Sequence, residues 1–157
     1  ITVSLWTQGC PHRCPGCHNP ETWDFDGGFE EIELKGKIIK AISANGIKRN
    51  FSILGGEPLC DQNKQMVLEV LLAVKTAYPE IKVYLWTGYL YEELIQSNDN
   101  TIHAILDRVD ILIDGPYKQE ERDLNCYLCG SRNQRVIDMQ KTRKDKTLTL
   151  IEKISNL

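Results

Sequence analysis

Short apolar runs separated by longer amphipathic stretches dominate the chain between residues 2 and 139. A run of about four to eight residues rich in β-branched and aromatic types predicts a strand. Five segments have this character and follow one another along the chain, at 2–7, 50–54, 81–86, 109–113 and 135–139.

Between these strands, apolar residues recur at spacings of three and four, which predicts helices. Helices are predicted over 30–44 and 62–77, with further helical segments near 90–97 and 101–107. The clearest is 62–77, for which Asp61 is predicted as the N-cap. Its apolar stripe consists of Met66, Val67, Val70, Leu71 and Val74.

The alternation of strands with helices predicts an α/β fold with right-handed crossovers and a mainly parallel sheet. Ligands of such sheets bind beyond the carboxyl ends of the strands. Residues with special chemistry or backbone freedom follow four of the predicted strands, namely Cys10, Gly55, Gly56, Glu57, Thr87, Gly88 and Asp114. The sequence therefore predicts a functional site at this edge of the sheet.

The length and charge of the chain narrow its class. A chain of 157 residues suffices for one domain with its own core. We assign 1–157 to a single domain and 140–157, which begins polar and basic, to a flexible tail. Nineteen basic residues against 22 acidic ones give a net charge of −3, which argues against a nucleic-acid or anionic-membrane partner. No apolar stretch approaches the roughly 18 residues of a membrane span, so a cytoplasmic protein is predicted.

Six cysteines carry the strongest chemical signal: Cys10, Cys14, Cys17, Cys60, Cys126 and Cys129. A domain of this size with 41% apolar residues does not need disulfides for stability. The first three have the spacing C-x-x-x-C-x-x-C, and soft thiolates this close hold zinc or an iron–sulfur cluster. Closed sites normally take four ligands. Three ligands therefore indicate an open coordination position, which is typical of a catalytic metal.

Three other interpretations of these cysteines stay open. His18 is a possible fourth ligand of a zinc site, although adjacent Cys17 is awkward to aim at the same ion. A four-cysteine zinc ribbon would join Cys14 and Cys17 to the second pair, Cys126 and Cys129, across 108 residues. The string C-x-x-C-H also matches a c-type haem attachment site, which leaves the first cysteine without a role.

Two motifs together resemble the radical S-adenosylmethionine (SAM) family. The cysteine motif follows the first predicted strand, and Gly55-Gly56-Glu57-Pro58 follows the second and resembles that family's GGEP motif. Gly16 departs from the pattern, since the family commonly has an aromatic residue there. The strings GCPHRCPGCHNPETWDFDGG, ILGGEPL, WTGY, LIDGPY and GSRNQR further resemble the subgroup that activates anaerobic (class III) ribonucleoside-triphosphate reductase, over about residues 3–139.

This resemblance implies a fold and a cofactor site. The implied fold is an open partial (β/α) barrel of about five or six mainly parallel strands. Cys10, Cys14 and Cys17 would bind three irons of a [4Fe–4S] cluster, and the amino and carboxylate groups of SAM would occupy the fourth. The residues expected to bind the cofactor are Gly55, Gly56, Glu57, Pro58, Asn19, Thr87, Asp114, Asn133 and Arg135.

The resemblance also implies a reaction and partners. Reductive cleavage of SAM would give a 5′-deoxyadenosyl radical that takes hydrogen from a glycine of the reductase, with flavodoxin or ferredoxin as electron donor. No acid–base residue is required, so none is assigned. The alternatives are the activator of another glycyl-radical enzyme such as pyruvate formate-lyase, and a non-catalytic zinc or iron–sulfur binding module.

Several conspicuous residues lie outside these motifs. Cys60 is expected to be an ordinary buried cysteine, and Trp6 and Trp86 are assigned to the core. Cys126 and Cys129 form a C-x-x-C in the loop before the GSRNQR string, where the family pattern has no cysteines. They are interpreted as a redox-active or an incidental pair.

Overall fold

The computed structural model describes residues 1–27 and 33–151 and is built around one five-stranded sheet in the order β1-β2-β3-β4-β5. The strands are β1 Thr2–Thr7, β2 Asn50–Gly55, β3 Val83–Trp86, β4 Ile111–Asp114 and β5 Arg135–Asp138. Neighbours β1 to β4 pair in parallel, whereas β5 runs antiparallel to β4. All five predicted strands are confirmed, with ends shifted by at most two residues.

Within the described residues, five α-helices accompany the sheet: α1 Leu34–Ile42, α2 Lys64–Ala77, α3 Tyr91–Gln96, α4 Asn100–Leu106 and α5 Met139–Asp145. The first part of the predicted helix 30–44 lies outside the described residues. The N-cap prediction for Asp61 is wrong, because α2 begins at Lys64 and Asp61 instead forms an ion pair with the Lys64 ammonium.

The stretch expected to begin a flexible tail forms α5 at its start. The Asp138 carboxylate caps this helix by accepting from the Lys141 N–H at 2.9 Å, and Met139 and Thr142 are buried against the domain. Farther along, Leu150 forms a β-bridge with Ile137 of β5. Residues 152–157 lie outside the described part of the chain.

The main core lies between one face of the sheet and helices α1, α2 and α4. Side chains that point to this face alternate along the strands with period two, as in Phe51 and Ile53 of β2 and Val83 and Leu85 of β3, and all four are fully buried. The apolar stripe of α2 packs against them. Burying each such side chain contributes roughly 1.5–3 kcal/mol, which makes this helix the main support of β2 and β3.

The opposite face of the sheet is only partly covered. A small cluster of Ile111, Ile113 and Val136 lies there, with Trp86 packed against it. Trp6 is 54% exposed, so its assignment to the core is wrong. It points to the face opposite Leu5, which is the β1 residue that enters the core.

Strands β1 and β5 form opposite edges of the sheet, so the sheet is open. The structure thus confirms an open, mainly parallel α/β sheet, and the partial-barrel geometry stays a prediction. In the described part of the chain, none of the helices combines the length and apolar character that a membrane span requires.

Candidate functional site

A cavity of about 260 Å³ opens at the carboxyl ends of β1, β2 and β3. Three loops meet there: the cysteine loop after β1, the Gly55–Pro58 loop at the end of β2 and the Thr87–Gly88 turn after β3. The connection between β4 and β5 completes the lining with Gly130 and Gln134, among others. Of the residues predicted to form the site, those that line the cavity are Cys10, Cys14, Cys17, Asn19, Gly55, Gly56, Glu57 and Thr87. The parallel sheet therefore brings together residues up to 77 positions apart, from Cys10 to Thr87.

The cysteine loop folds back on itself, which carries its thiols to the cavity. The N–H groups of Gly9 and Cys10 donate to the carbonyls of Thr22 and Trp23, at 2.9 and 3.1 Å. Gly9 has φ +93°, a conformation that glycine adopts without strain. These contacts close the loop at its base, so the three cysteines between them are held on one side of the cavity.

The protonation of the thiols depends on their partial burial. Loss of solvation by burial raises the pKa of Cys10 and the pKa of Cys14 above the ordinary cysteine value. A metal or cluster at this site would bind the thiolates, so its binding would release these protons. The N–H of Asn19 donates to the sulfur of Cys17 at 3.4 Å, a contact that helps to orient this side chain.

A site for one metal ion is not preassembled among residues 1–27 and 33–151, since no three His, Cys, Asp or Glu side chains converge there as its ligands. Cys126 and Cys129 instead hydrogen-bond to the carbonyls of Ser131 and Gln134. They are not brought to the first cysteine cluster, as a four-cysteine ribbon would require.

Glu57 is the central anchor between the three loops. Its side chain is 1% exposed, and its carboxylate accepts four hydrogen bonds. Oε1 accepts from Leu59 N at 2.9 Å and from Thr87 Oγ1 at 2.8 Å. Oε2 accepts from Gly88 N at 2.7 Å and from His12 Nε2 at 2.9 Å. The carboxylate thus ties the cysteine loop, its own loop and the end of β3 to one point.

Asn63 is a structural residue of the site that the sequence analysis missed. Its amide Nδ2 donates to the carbonyls of Gln8 and Glu57, at 3.0 and 2.9 Å, and so joins the cysteine loop to the loop after β2. The signal available in the sequence was an amide, a residue type that favours helix N-termini, near the start of the predicted helix. With the cap predicted at Asp61, no role was expected for this side chain.

The two glycines at the end of β2, Gly55 and Gly56, allow a backbone contact that a side chain would prevent. The N–H groups of Gly56 and Glu57 donate to the carbonyls of Thr7 and Gly9, both at 2.8 Å. A Cβ on Gly56 would lie 2.3 Å from the Gly9 carbonyl oxygen, a backbone atom that cannot turn away. The glycine therefore keeps the two loops in direct contact.

Substitution of Gly56 by Ala is expected to separate these loops and to lower the thermal midpoint by several degrees. The overlap with the Gly9 backbone corresponds to about 1–3 kcal/mol of overpacking. Gly36→Ala is the matched control, since nothing lies within 4 Å of a Cβ at Gly36 in α1. Alanine there should raise the midpoint, because it favours a helix by roughly 0.5–1 kcal/mol over glycine. Circular dichroism melts of both variants measure the contrast, and equal melts would contradict the close approach.

Asp114 and Arg135 lie beside the cavity rather than in its lining. Asp114 is fully buried and accepts from Arg135 Nε at 3.0 Å and from Tyr91 N at 2.8 Å. The Arg135 guanidinium also bonds both carboxylate oxygens of Glu92, at 2.9 and 2.7 Å, and lowers the pKa of that carboxyl. This network joins the β4–β5 edge to α3. A role in cofactor binding stays a prediction for both residues.

Two further predicted residues also lie outside the lining. Pro58 is buried in the loop after β2. Asn133 donates from Nδ2 to the Pro116 carbonyl at 2.8 Å, while its Oδ1 is buried without a partner among the described residues. Gln134, next to it in the GSRNQR string, does line the cavity.

The cavity carries features that fit a bound cofactor. Trp23 lines it, and the indole Nε1–H is buried without a hydrogen-bond partner in the described part of the chain. Buried donors normally have a partner. An orphaned donor beside three soft thiols suits a group that binds thiolates and accepts hydrogen bonds, such as an iron–sulfur cluster with an attached ligand.

Comparisons with known proteins agree with this chemistry. A family model described as "4Fe-4S single cluster domain" matches residues 1–137. The chain is 38% identical over 133 residues to the "Anaerobic ribonucleoside-triphosphate reductase-activating protein" of Vibrio cholerae, covering 83% of each chain. It is 35% identical to the protein of that name from Haemophilus influenzae, again over 83% of each, and 32% identical to that of Escherichia coli K12, over 85% of each. No solved structure matches the chain.

The matched region covers β1 to β5, and therefore the whole cavity. The cysteine loop, the Gly55–Pro58 loop and the GSRNQR string all lie within it. These are the motifs on which the resemblance to this family was predicted from the sequence. The chain belongs to the family of anaerobic ribonucleoside-triphosphate reductase-activating proteins.

Proposed function

We propose that this protein activates an anaerobic ribonucleoside-triphosphate reductase by generating a radical on a glycine of that enzyme. The observation that carries the proposal is the single cavity in which the three-cysteine loop and the Gly55–Pro58 loop meet. The printed name of the relatives supports the choice of partner. The three-thiol set supports a metal centre with one open position.

Each loop has its own part in this function. Cys10, Cys14 and Cys17 would hold three irons of a [4Fe–4S] cluster, and their deprotonation accompanies its assembly. When bound, the cluster and SAM would supply reductive cleavage of the sulfonium and, with it, the radical chemistry that removes a hydrogen atom from the target glycine. Gly55 and Gly56 have no side chains, so SAM can lie against their backbone. The hydrogen bonds of Glu57 hold the loop in place.

Access to the cavity supports a protein substrate. The sheet is open, and the face that carries Trp6 is only partly covered. A glycine-bearing loop of a second protein can therefore approach the cavity without unfolding any described element. The thiols and Glu57 are already held in place by hydrogen bonds within the protein. The substrate loop therefore does not have to position them.

Anaerobic reconstitution with iron and sulfide, followed by reduction with dithionite and SAM addition, tests the proposal. About four irons per chain and release of 5′-deoxyadenosine are expected. Addition of the reductase should then give the electron paramagnetic resonance signal of a glycyl radical. Reduced flavodoxin or ferredoxin should replace dithionite in both steps.

Three results would each contradict a different part of the proposal. Zinc bound in place of iron, or a loaded iron protein that never cleaves SAM, would identify a non-catalytic binding module. A glycyl radical formed on pyruvate formate-lyase but never on the reductase would identify an activator of another glycyl-radical enzyme.

A further inference from the structure

The loop between β4 and β5 holds Cys126 and Cys129 close together. Arg122 and Ser131 form a β-bridge that closes the loop, and within it Asp123 N donates to the Gly130 carbonyl at 3.2 Å. Cys126 N donates in turn to the Asp123 carbonyl at 3.3 Å. The two cysteines therefore occupy one tight, closed turn.

The two thiols are free and have only weak hydrogen-bond partners. Cys126 is near enough to Cys129 to raise the pKa of that thiol. Cys126 Sγ also lies 3.9 Å from the Ser131 carbonyl oxygen, and Cys129 Sγ lies 3.7 Å from that of Gln134. A sulfur–sulfur bond can thus form by a small movement inside the turn.

The surroundings of the two thiols differ, and this difference determines which thiol reacts first. Cys129 packs against the apolar cluster on the sheet face that includes Ile113 and Val136. This burial, together with the neighbouring Cys126, raises the pKa of Cys129 to about 12. Cys129 therefore keeps its proton near neutral pH, which leaves Cys126 as the thiol that attacks first.

The pair also lies directly behind the cavity wall. Gly130, the next residue, and Gln134 both line the cavity, and Gly130 N donates to Gln134 Oε1 at 2.9 Å. Trp86, another lining residue, donates from Nε1 to the Leu128 carbonyl at 2.8 Å, between the two cysteines. A change within the turn is therefore transmitted to the wall through these contacts.

We propose that Cys126 and Cys129 form a reversible dithiol–disulfide site that exchanges with a low-molecular-weight disulfide of the glutathione class. The Cys126 thiolate attacks one sulfur of that disulfide, forming a mixed disulfide and releasing one small thiol. Cys129 then loses its proton, attacks the Cys126 sulfur and releases the second small thiol. Two protein thiols are oxidised, one small disulfide is reduced to two thiols, and the two protons end on those thiols.

Oxidation would remove both S–H donors from the Ser131 and Gln134 carbonyls and pull the turn toward Cys129. Because Gly130 and Gln134 move with the turn, the cavity wall would respond to the thiol redox state of the cell. This site goes beyond the proposed function, since it uses none of the thiols assigned to the cluster.

Peptide mapping can test this pair separately, because trypsin leaves Cys126 and Cys129 in one peptide and the other four cysteines in different peptides. Residues 123–132 carry only Cys126 and Cys129, whereas the other cysteines fall in peptides 1–13, 14–35 and 50–64. The full-length, cluster-loaded protein is equilibrated anaerobically with glutathione buffers of rising disulfide content, quenched in acid, alkylated and digested. The readout is a peptide mass, so it does not depend on SAM cleavage or on the reductase.

We expect the 123–132 peptide to lose alkylation by at least about tenfold in oxidising buffer and to appear about 2 Da lighter, as loss of two hydrogens requires. Dithiothreitol should reverse the change. Cys129→Ser should stop at the mixed disulfide on Cys126, and Cys126→Ser should leave Cys129 fully alkylated after denaturation. Full alkylation of the wild-type peptide at every ratio, or equal reactivity of Cys129 in the Cys126→Ser variant, would overturn the proposal.

Discussion

Replacement of any one of Cys10, Cys14 or Cys17 by Ala is expected to abolish cluster binding and SAM cleavage. All three thiols reach the same cavity, and loss of one leaves two ligands for a centre that already has an open position. Loss of residues that merely support metal ligands costs about 10–100-fold, so loss of a ligand itself should lower activity by more than about 100-fold.

Iron content, the visible absorption of the reconstituted protein and 5′-deoxyadenosine release measure this effect. Cys126→Ala is the matched control, because Cys126 is also a partly buried free thiol but does not itself line the cavity. This variant should keep its iron and cleave SAM. Iron loss in Cys126→Ala, or iron retention in Cys14→Ala with an intact circular dichroism spectrum, would contradict the ligand set.

The parallel direction of β1 to β4 could be predicted because local pattern and connection length agree. Each of β1 to β3 is followed by helical periodicity, which imposes a crossover and a parallel neighbour. Between β4 and β5 the described chain has only a short 3₁₀ turn at Gln119–Glu121, and β5 returns antiparallel. Strand β5 can thus run antiparallel to β4 because no α-helix connects the two strands in the described chain.

The orientation of Trp6 could not be predicted from alternation. A period of two separates Trp6 from Leu5 but does not tell which face of the sheet the helices cover. By contrast, the signal for α5 was present in the sequence. Asp138 is a strong capping residue, and Met139 and Thr142 have helical spacing, but the polar, basic stretch that begins at residue 140 was interpreted as the start of a tail.

The parts of the candidate site that consist of short sequence motifs could be predicted. The cysteine spacing and the Gly55–Pro58 string identify residues that do line one cavity. The roles of Asn63 and His12 depend on partners about 45 to 55 residues away, so no local pattern carries them. Asp114 was selected by its position at a strand end and Arg135 from the GSRNQR string, yet their direct neighbours are each other.

Glu57→Gln is expected to lower the free energy of unfolding by about 2 kcal/mol, within the 1–3 kcal/mol range of one unsatisfied buried group. The amide has one oxygen, so its nitrogen must face one of the two donor pairs. Thr87 and His12 can reverse their roles by rotation or tautomer change. The N–H of Leu59 or of Gly88 cannot, and one of them is left without an acceptor. Glu57→Ala removes all four bonds and should cost about twice as much.

Urea denaturation of the reduced, cluster-free protein measures this loss, with exposed Glu80→Gln as the control that should stay within about 0.5 kcal/mol of wild type. The absence of the cofactor in this measurement decides between two roles of the carboxylate. If Glu57 acted only on the SAM ammonium, Gln would leave unfolding unchanged and weaken SAM binding alone. Because its four partners are all protein groups, the structural cost must appear before any cofactor is added.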